Sequence, residues 1–291
     1  TASSLGGTGV HVFFFASGCG LYLSYLKHKT TFTSFIKKRF NKVYIPYILI
    51  VFISFLLPWM YKGQDRFIAL LSHVFLFKMF IPQFENSFGI QMWFLSTLFQ
   101  LYLIFLPLCK LRERISAKNF IIGSLLISIA YSCFVFSIGQ ENNRVINSFF
   151  LQFIWEFCLG MELARALKDG KIVKLSLLQL VIIAIVGLGL EGIIAIKFPS
   201  FKAFNDIPAF FGYMALAVIL YYFIGKQTTR AWTSVCKYSY EWYLVHILVF
   251  TTIFLVSPVG LMQQSIVGVI VLVISYVVAM LYWKLIHKIN L

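Results

Sequence analysis

The chain has 291 residues, of which 60% are hydrophobic and only 12% charged, with a formal net charge of +15. A soluble domain is nearer half apolar and a quarter charged, so a soluble globular fold is excluded. The positive balance would point to nucleic acid in a soluble protein, but cytoplasmic loops of membrane proteins collect Lys and Arg and explain it without that partner.

In chain order, apolar runs predict nine spans: 9–26, 43–60, 88–109, 119–138, 148–166, 175–196, 207–224, 238–256 and 265–286. The fold class is therefore all-α, a polytopic transmembrane helix bundle in the lipid bilayer. No repeat or linker divides it, so residues 1–291 read as a single integral-membrane domain. Before the second span stands FIKKRFNKVYIP (35–46), with Lys37, Lys38, Arg39 and Lys42. Such a cluster anchors a span at the cytoplasmic face. It also suits phosphate, because Arg39 and Lys42 are three apart on one face at a helix N-terminus. The segment 67–82 is apolar but short and holds His73 and Lys78. By length it is ambiguous between a span, an interfacial stretch and a re-entrant one.

Polar groups within spans usually face the bundle interior or a wet cavity. Spacings of three, four and seven place them on one helix face. Trp93, Ser96, Thr97 and Gln100 form such a stripe in the third span, Gln152, Glu156 and Gly160 in the fifth, and Ser239, Tyr243 and His246 in the eighth. Glu156 lies about 12 Å from the outer end of its span. A carboxyl there is paired, protonated or in a watery cavity, and a cavity-facing role is expected. His246 is also about 12 Å deep, as a functional imidazole or as interhelical glue. Glu241 reads as a carboxylate that reaches water in the first turn of its helix, favoured by the dipole. Glu156, His246 and Gln100 are expected to border one central cavity.

Charge sets the topology. If 67–82 does not span, nineteen of the 25 Lys and Arg fall on one side, in 27–42, 110–118, 165–174, 225–237 and 284–291. If it spans, every later loop inverts. The positive-inside bias selects the first arrangement, with the C-terminus inside. Thr1 then falls outside with no visible signal peptide, so at least one further helix is expected upstream. The five cysteines are odd in number and form no CxxC pair, and the five histidines show no ligand spacing. Buried thiols are expected, with no disulfide frame and no metal.

Four blocks resemble membrane acyltransferase family 3. GVHVFFFASGCGLYLS resembles its G-V-x-x-F-F-x-x-S-G helix at Gly9, Val10, Phe13, Phe14, Ser17 and Gly18. FIKKRFNKVYIPY resembles its R-x-x-R stretch with a following Pro, at Arg39, Lys42 and Pro46. QMWFLSTLFQLYLIFLPL resembles its W-x-L-x(4)-Q-x-Y-x(4)-P segment at Trp93, Leu95, Gln100, Tyr102 and Pro107. SYEWYLVH resembles its late S-x-x-x-Y-L-x-H at Ser239, Tyr243, Leu244 and His246. The blocks keep the family's order and cover most of the chain. Two departures stand out. Lys42 replaces the second Arg, which keeps charge but loses the bidentate fork. Leu98 and Phe99 stand where many relatives are acidic, as in a W-F-L subset linked to surface polysaccharides.

The resemblance implies about ten helices in a bacterial cytoplasmic (inner) membrane. It implies transfer of an acyl group, acetyl or succinyl, from cytoplasmic acyl-CoA to a hydroxyl of a cell-surface or lipid-linked glycan. Donor phosphates would meet Arg39, Lys42 and Lys38. Trp93, Gln100, Tyr102, Ser17 and Tyr243 would line the substrate cavity. His246 and Glu156 are the catalytic candidates in this chain. The family's main histidine, a general base, is expected upstream of Thr1, and His11 is not that residue. The rival class is a transporter or flippase using Glu156 and His246 as a proton relay. The absence of an internal repeat weighs against it. A purely structural scaffold leaves the polar stripes unexplained.

Overall fold

The computed structural model describes residues 9–171, 174–198, 201, 204–256 and 261–288, and no strand occurs among them. The main helices are α1 (Val10–Lys27), α2 (Phe32–Arg39), α3 (Ile45–Leu56), α4 (Arg66–Val74), α5 (Trp93–Arg114), α6 (Ala117–Ser137), α7 (Phe150–Lys168), α8 (Leu177–Lys197), α9 (Asp206–Leu220), α10 (Lys226–Lys237), α11 (Ser239–Val256) and α12 (Leu261–Lys288). Side-chain caps start two of them. Ser116 accepts from the Asn119 N–H, and Ser176 with Gln179 forms a reciprocal capping box. Each satisfies backbone donors that a helix start leaves open.

Among the described residues, six stretches are long and apolar enough to cross a membrane: Phe32–Leu56, Ile90–Arg114, Ala117–Ser137, Leu177–Lys197, Asp206–Gly225 and Val267–Lys288. They answer to six of the nine predicted spans. The other three are α1, α7 and α11, which carry His11, Glu156 and His246; α11 is as apolar as the six and is only shorter. The segment 67–82 forms no span. It folds as the nine-residue α4 and two short 3-10 turns. Leu126, Ile127 and Phe134 on α6, Ile182, Ile185 and Val186 on α8, and Val269, Ile270 and Val273 on α12 are exposed. Apolar faces of this extent suit a hydrocarbon surround rather than water.

The chain forms two compact units, Thr1–Phe32 with Thr97–Gln227, and Thr33–Ser96 with Thr228–Leu291. In the first unit, basic loops share one end. Lys29 pairs with Glu113 at 2.6 Å, Lys168 donates to the Leu26 carbonyl, and Arg112 pairs with Glu162. The opposite end gathers Thr97 on the Ser148 carbonyl and the ring of Phe136 against Phe201 and Phe204. Residues 26–29, 110–118 and 162–168 therefore lie together, as the charge argument expects of a positive face.

In the second unit, the carbonyls that end α3 converge on one side chain. The Arg66 guanidinium donates to Phe55, Leu57, Pro58 and Tyr61 oxygens, with Leu57 at 2.6 Å and Tyr61 at 2.8 Å. A planar cation with five donors suits this cluster where a lysine does not. Arg66→Ala is expected to cost about 2–3 kcal/mol, and Arg66→Lys to recover less than half of it. Thermal unfolding of the purified variants checks this, and an unchanged Tm for Arg66→Ala would remove the capping role.

Candidate functional site

The basic stretch 35–46 does not stay α-helical. Pro46 has no N–H for the carbonyl of Lys42, so the α ladder breaks there. Phe40–Tyr44 widens into a π-helical turn, in which the Ile45 N–H reaches the Phe40 carbonyl. Two tyrosines from the far end of the chain hold the released backbone. Tyr240 donates to the Val43 carbonyl at 2.6 Å, and Tyr282 to the Pro46 carbonyl at 2.5 Å. Single π turns inside helices recur at functional sites.

This turn forms one wall of a cavity of about 610 Å³ within the second unit. Arg39 and Lys42 line it from the turn, Lys237, Tyr240 and Glu241 from the α10–α11 junction, and Trp283 and His287 from α12. The Lys237 ammonium sits 4.1 Å from the Trp283 ring centre, and the His287 ring stacks on the same indole at 3.9 Å. Arg39 lies over Phe35, and its Nε is buried without a hydrogen-bond partner among the described residues. A buried, undirected guanidinium N–H is costly unless something accepts from it. Cations clustered on an aromatic wall suit a phosphate group. The volume falls within the range of small-molecule sites.

The sequence places two of its three donor residues in this lining. Lys38 is exposed and stands outside it. Glu241 differs from its expectation. It is 7% exposed, so it does not simply reach bulk water. It lines the cavity, where the positive charge of Lys42 acts on it.

Further along α11 in the same unit, Tyr243 donates to the Gln91 carbonyl and packs edge-on against Phe94. Ser239 is committed to the Cys236 carbonyl, and Trp93 is buried against Phe94. His246 is half-buried. Its Nδ1 faces the Tyr243 carbonyl at 2.8 Å and the Trp242 carbonyl at 3.2 Å. Carbonyls only accept, so Nδ1 carries the proton, and in the neutral ring Nε2 is the nitrogen with the lone pair.

Glu156 and Gln100 belong to the first unit. Glu156 is fully buried, and its Oε1 meets His11 Nδ1 at 2.8 Å. His11 Nε2 lies 3.3 Å from Asp206, whose other oxygen accepts from Gln152 at 2.6 Å. Gln100 accepts from the Phe150 N–H at the start of α7, the helix that carries Glu156. Tyr102 is buried against Phe99, and Ser17 is half-buried on α1. Sequence reasoning passed over His11 as a bystander in its block. The signal was the one that singled out His246, an imidazole within an apolar run.

A family model described as an acyltransferase domain matches residues 1–285. No curated protein and no solved structure matches the chain.

Proposed function

The chain belongs to this acyltransferase family, and on that premise we propose that it acylates a glycan hydroxyl from acyl-CoA at the cytoplasmic face of an inner membrane. The basic cavity carries the reading. Arg39, Lys42 and Lys237 supply charge for the donor phosphates, and Trp283, which packs on Lys237, gives the cavity an aromatic wall. His246 stands five positions past Glu241 on α11, about 7.5 Å along the axis. Beside the histidine that the resemblance expects upstream, it would serve as a proton acceptor for the acceptor hydroxyl through Nε2. The hydroxyl oxygen bonds the acyl carbon, the thioester C–S bond breaks, and the CoA thiol leaves with a proton. The acceptor class and the acetyl or succinyl group rest on the motif resemblance.

Binding of CoA to the purified protein tests the site. Arg39→Ala is expected to weaken it about 10- to 100-fold, the value of one charge-assisted contact. Lys37→Ala and Lys38→Ala should each change it less than about threefold, because exposed cations contribute little. Equal losses from all three would reduce the cluster to a membrane anchor and sink the donor-site reading.

A further inference from the structure

Three ionisable groups from three helices meet inside the first unit. His11 stands on α1, Glu156 on α7 and Asp206 at the start of α9. The His11 and Glu156 side chains are 4% and 0% exposed, whereas Asp206 keeps 16%. The ring is held at both nitrogens, 2.8 Å from Glu156 and 3.3 Å from Asp206. Glu156 Oε2 is buried with no hydrogen-bond partner among the described residues. Glu191 on α8, 2% exposed, also acts electrostatically on the ring.

Glu156 is fully buried, and a carboxylate there is costly when ionised, so a proton on it is favoured whenever the His11 ring is neutral. An imidazole whose two nitrogens face two different acids is also the simplest proton shuttle.

We propose that Asp206, His11 and Glu156 form a proton path from the partly exposed Asp206 to the buried Glu156. A proton passes from the Asp206 carboxyl to Nε2 while the Nδ1 proton passes to Glu156. The ring changes tautomer, and the net transfer is one proton. No other bond forms or breaks. Asp206 lies at the end of the unit opposite the basic loops, level with Gln152, which donates to it, and Glu156 stands four positions further along α7, about 6 Å further in. The path rests on geometry within one unit, independent of the donor reading.

Infrared difference spectroscopy of the purified protein in lipid, after a pH jump between about pH 5 and about pH 8, tests this. We expect a protonated-carboxyl band that is lost in Glu156→Gln, an amide that can still accept from Nδ1. Asp206→Asn should slow the appearance of that band about a hundredfold, the lower end of what a positioned proton-transfer group contributes. It should leave the final amplitude unchanged. Should Glu156→Gln not fold, carboxyl-labelled glutamate in the wild type marks the band, and Asp206→Asn must still slow it. A titrating glutamate with an unchanged rate in Asp206→Asn overturns the path. The absence of any titrating glutamate band overturns the site as a whole.

Discussion

His246→Gln is expected to lower turnover by about a hundredfold or more, with CoA affinity unchanged within about twofold. The side chain stays polar and similar in length, so packing against Tyr243 should survive. What is lost is the one atom that can take a proton. The Nδ1 contacts to the Tyr243 and Trp242 carbonyls fix the tautomer, and Nε2 alone is left to accept. A glutamine carbonyl accepts a hydrogen bond but is far too weak a base to remove a hydroxyl proton. Single-turnover transfer with saturating acyl-CoA separates the chemical step from donor binding. A raised KM at unchanged kcat would make His246 a binding residue. A variant that transfers normally, or one whose only defect is yield, would make it interhelical glue.

The outline of this molecule was legible in local patterns. Hydropathy placed nine helices, and the Lys/Arg bias kept 67–82 from crossing. That segment instead buries His73 and Lys78 completely. Tyr47 and Ser87 bond the imidazole, and the Ser87 and Gly89 carbonyls accept from the ammonium. Arg39 and Lys42 were legible because one short motif holds both. Lys237, Trp283 and His287 were not, because they reach the cavity from 195 to 248 positions further on. His11 and Glu156 are separated by 145 positions. A periodicity argument sees each on its own helix and has no means of pairing them. The misreading of Glu241 has the same origin. Its place in the first turn of α11 is local, but its burial is set by α12 and the π turn.

The largest loss of stability is expected from a single methyl group. A Cβ on Gly160 would stand 2.0 Å from the Phe15 carbonyl oxygen, and one on Gly18 would stand 2.1 Å from that of Phe157. Real Cβ contacts essentially never fall under 3.0 Å, and the obstacle here is backbone, which cannot rotate away. Two small residues facing one another thus let α1 and α7 touch backbone to backbone, as small-residue interfaces do between membrane helices. The same approach sets the 2.8 Å contact between His11 and Glu156. Gly160→Ala must push the helices apart by about an ångström, so the cost should reach or exceed about 3 kcal/mol, the upper range for overpacking. Gly20→Ala is the control on α1, since its Cβ would meet nothing within 4 Å. It should be neutral or slightly stabilising, because alanine is the better helix former. Gly18→Ala with Gly160→Ala should cost much less than the two losses added, because one displacement relieves both clashes. Folding yield and thermal unfolding in detergent read all four proteins. A Gly160→Ala protein as stable as Gly20→Ala would show that α1 and α7 do not pack at this distance, and the His11–Glu156 pair would fall with it.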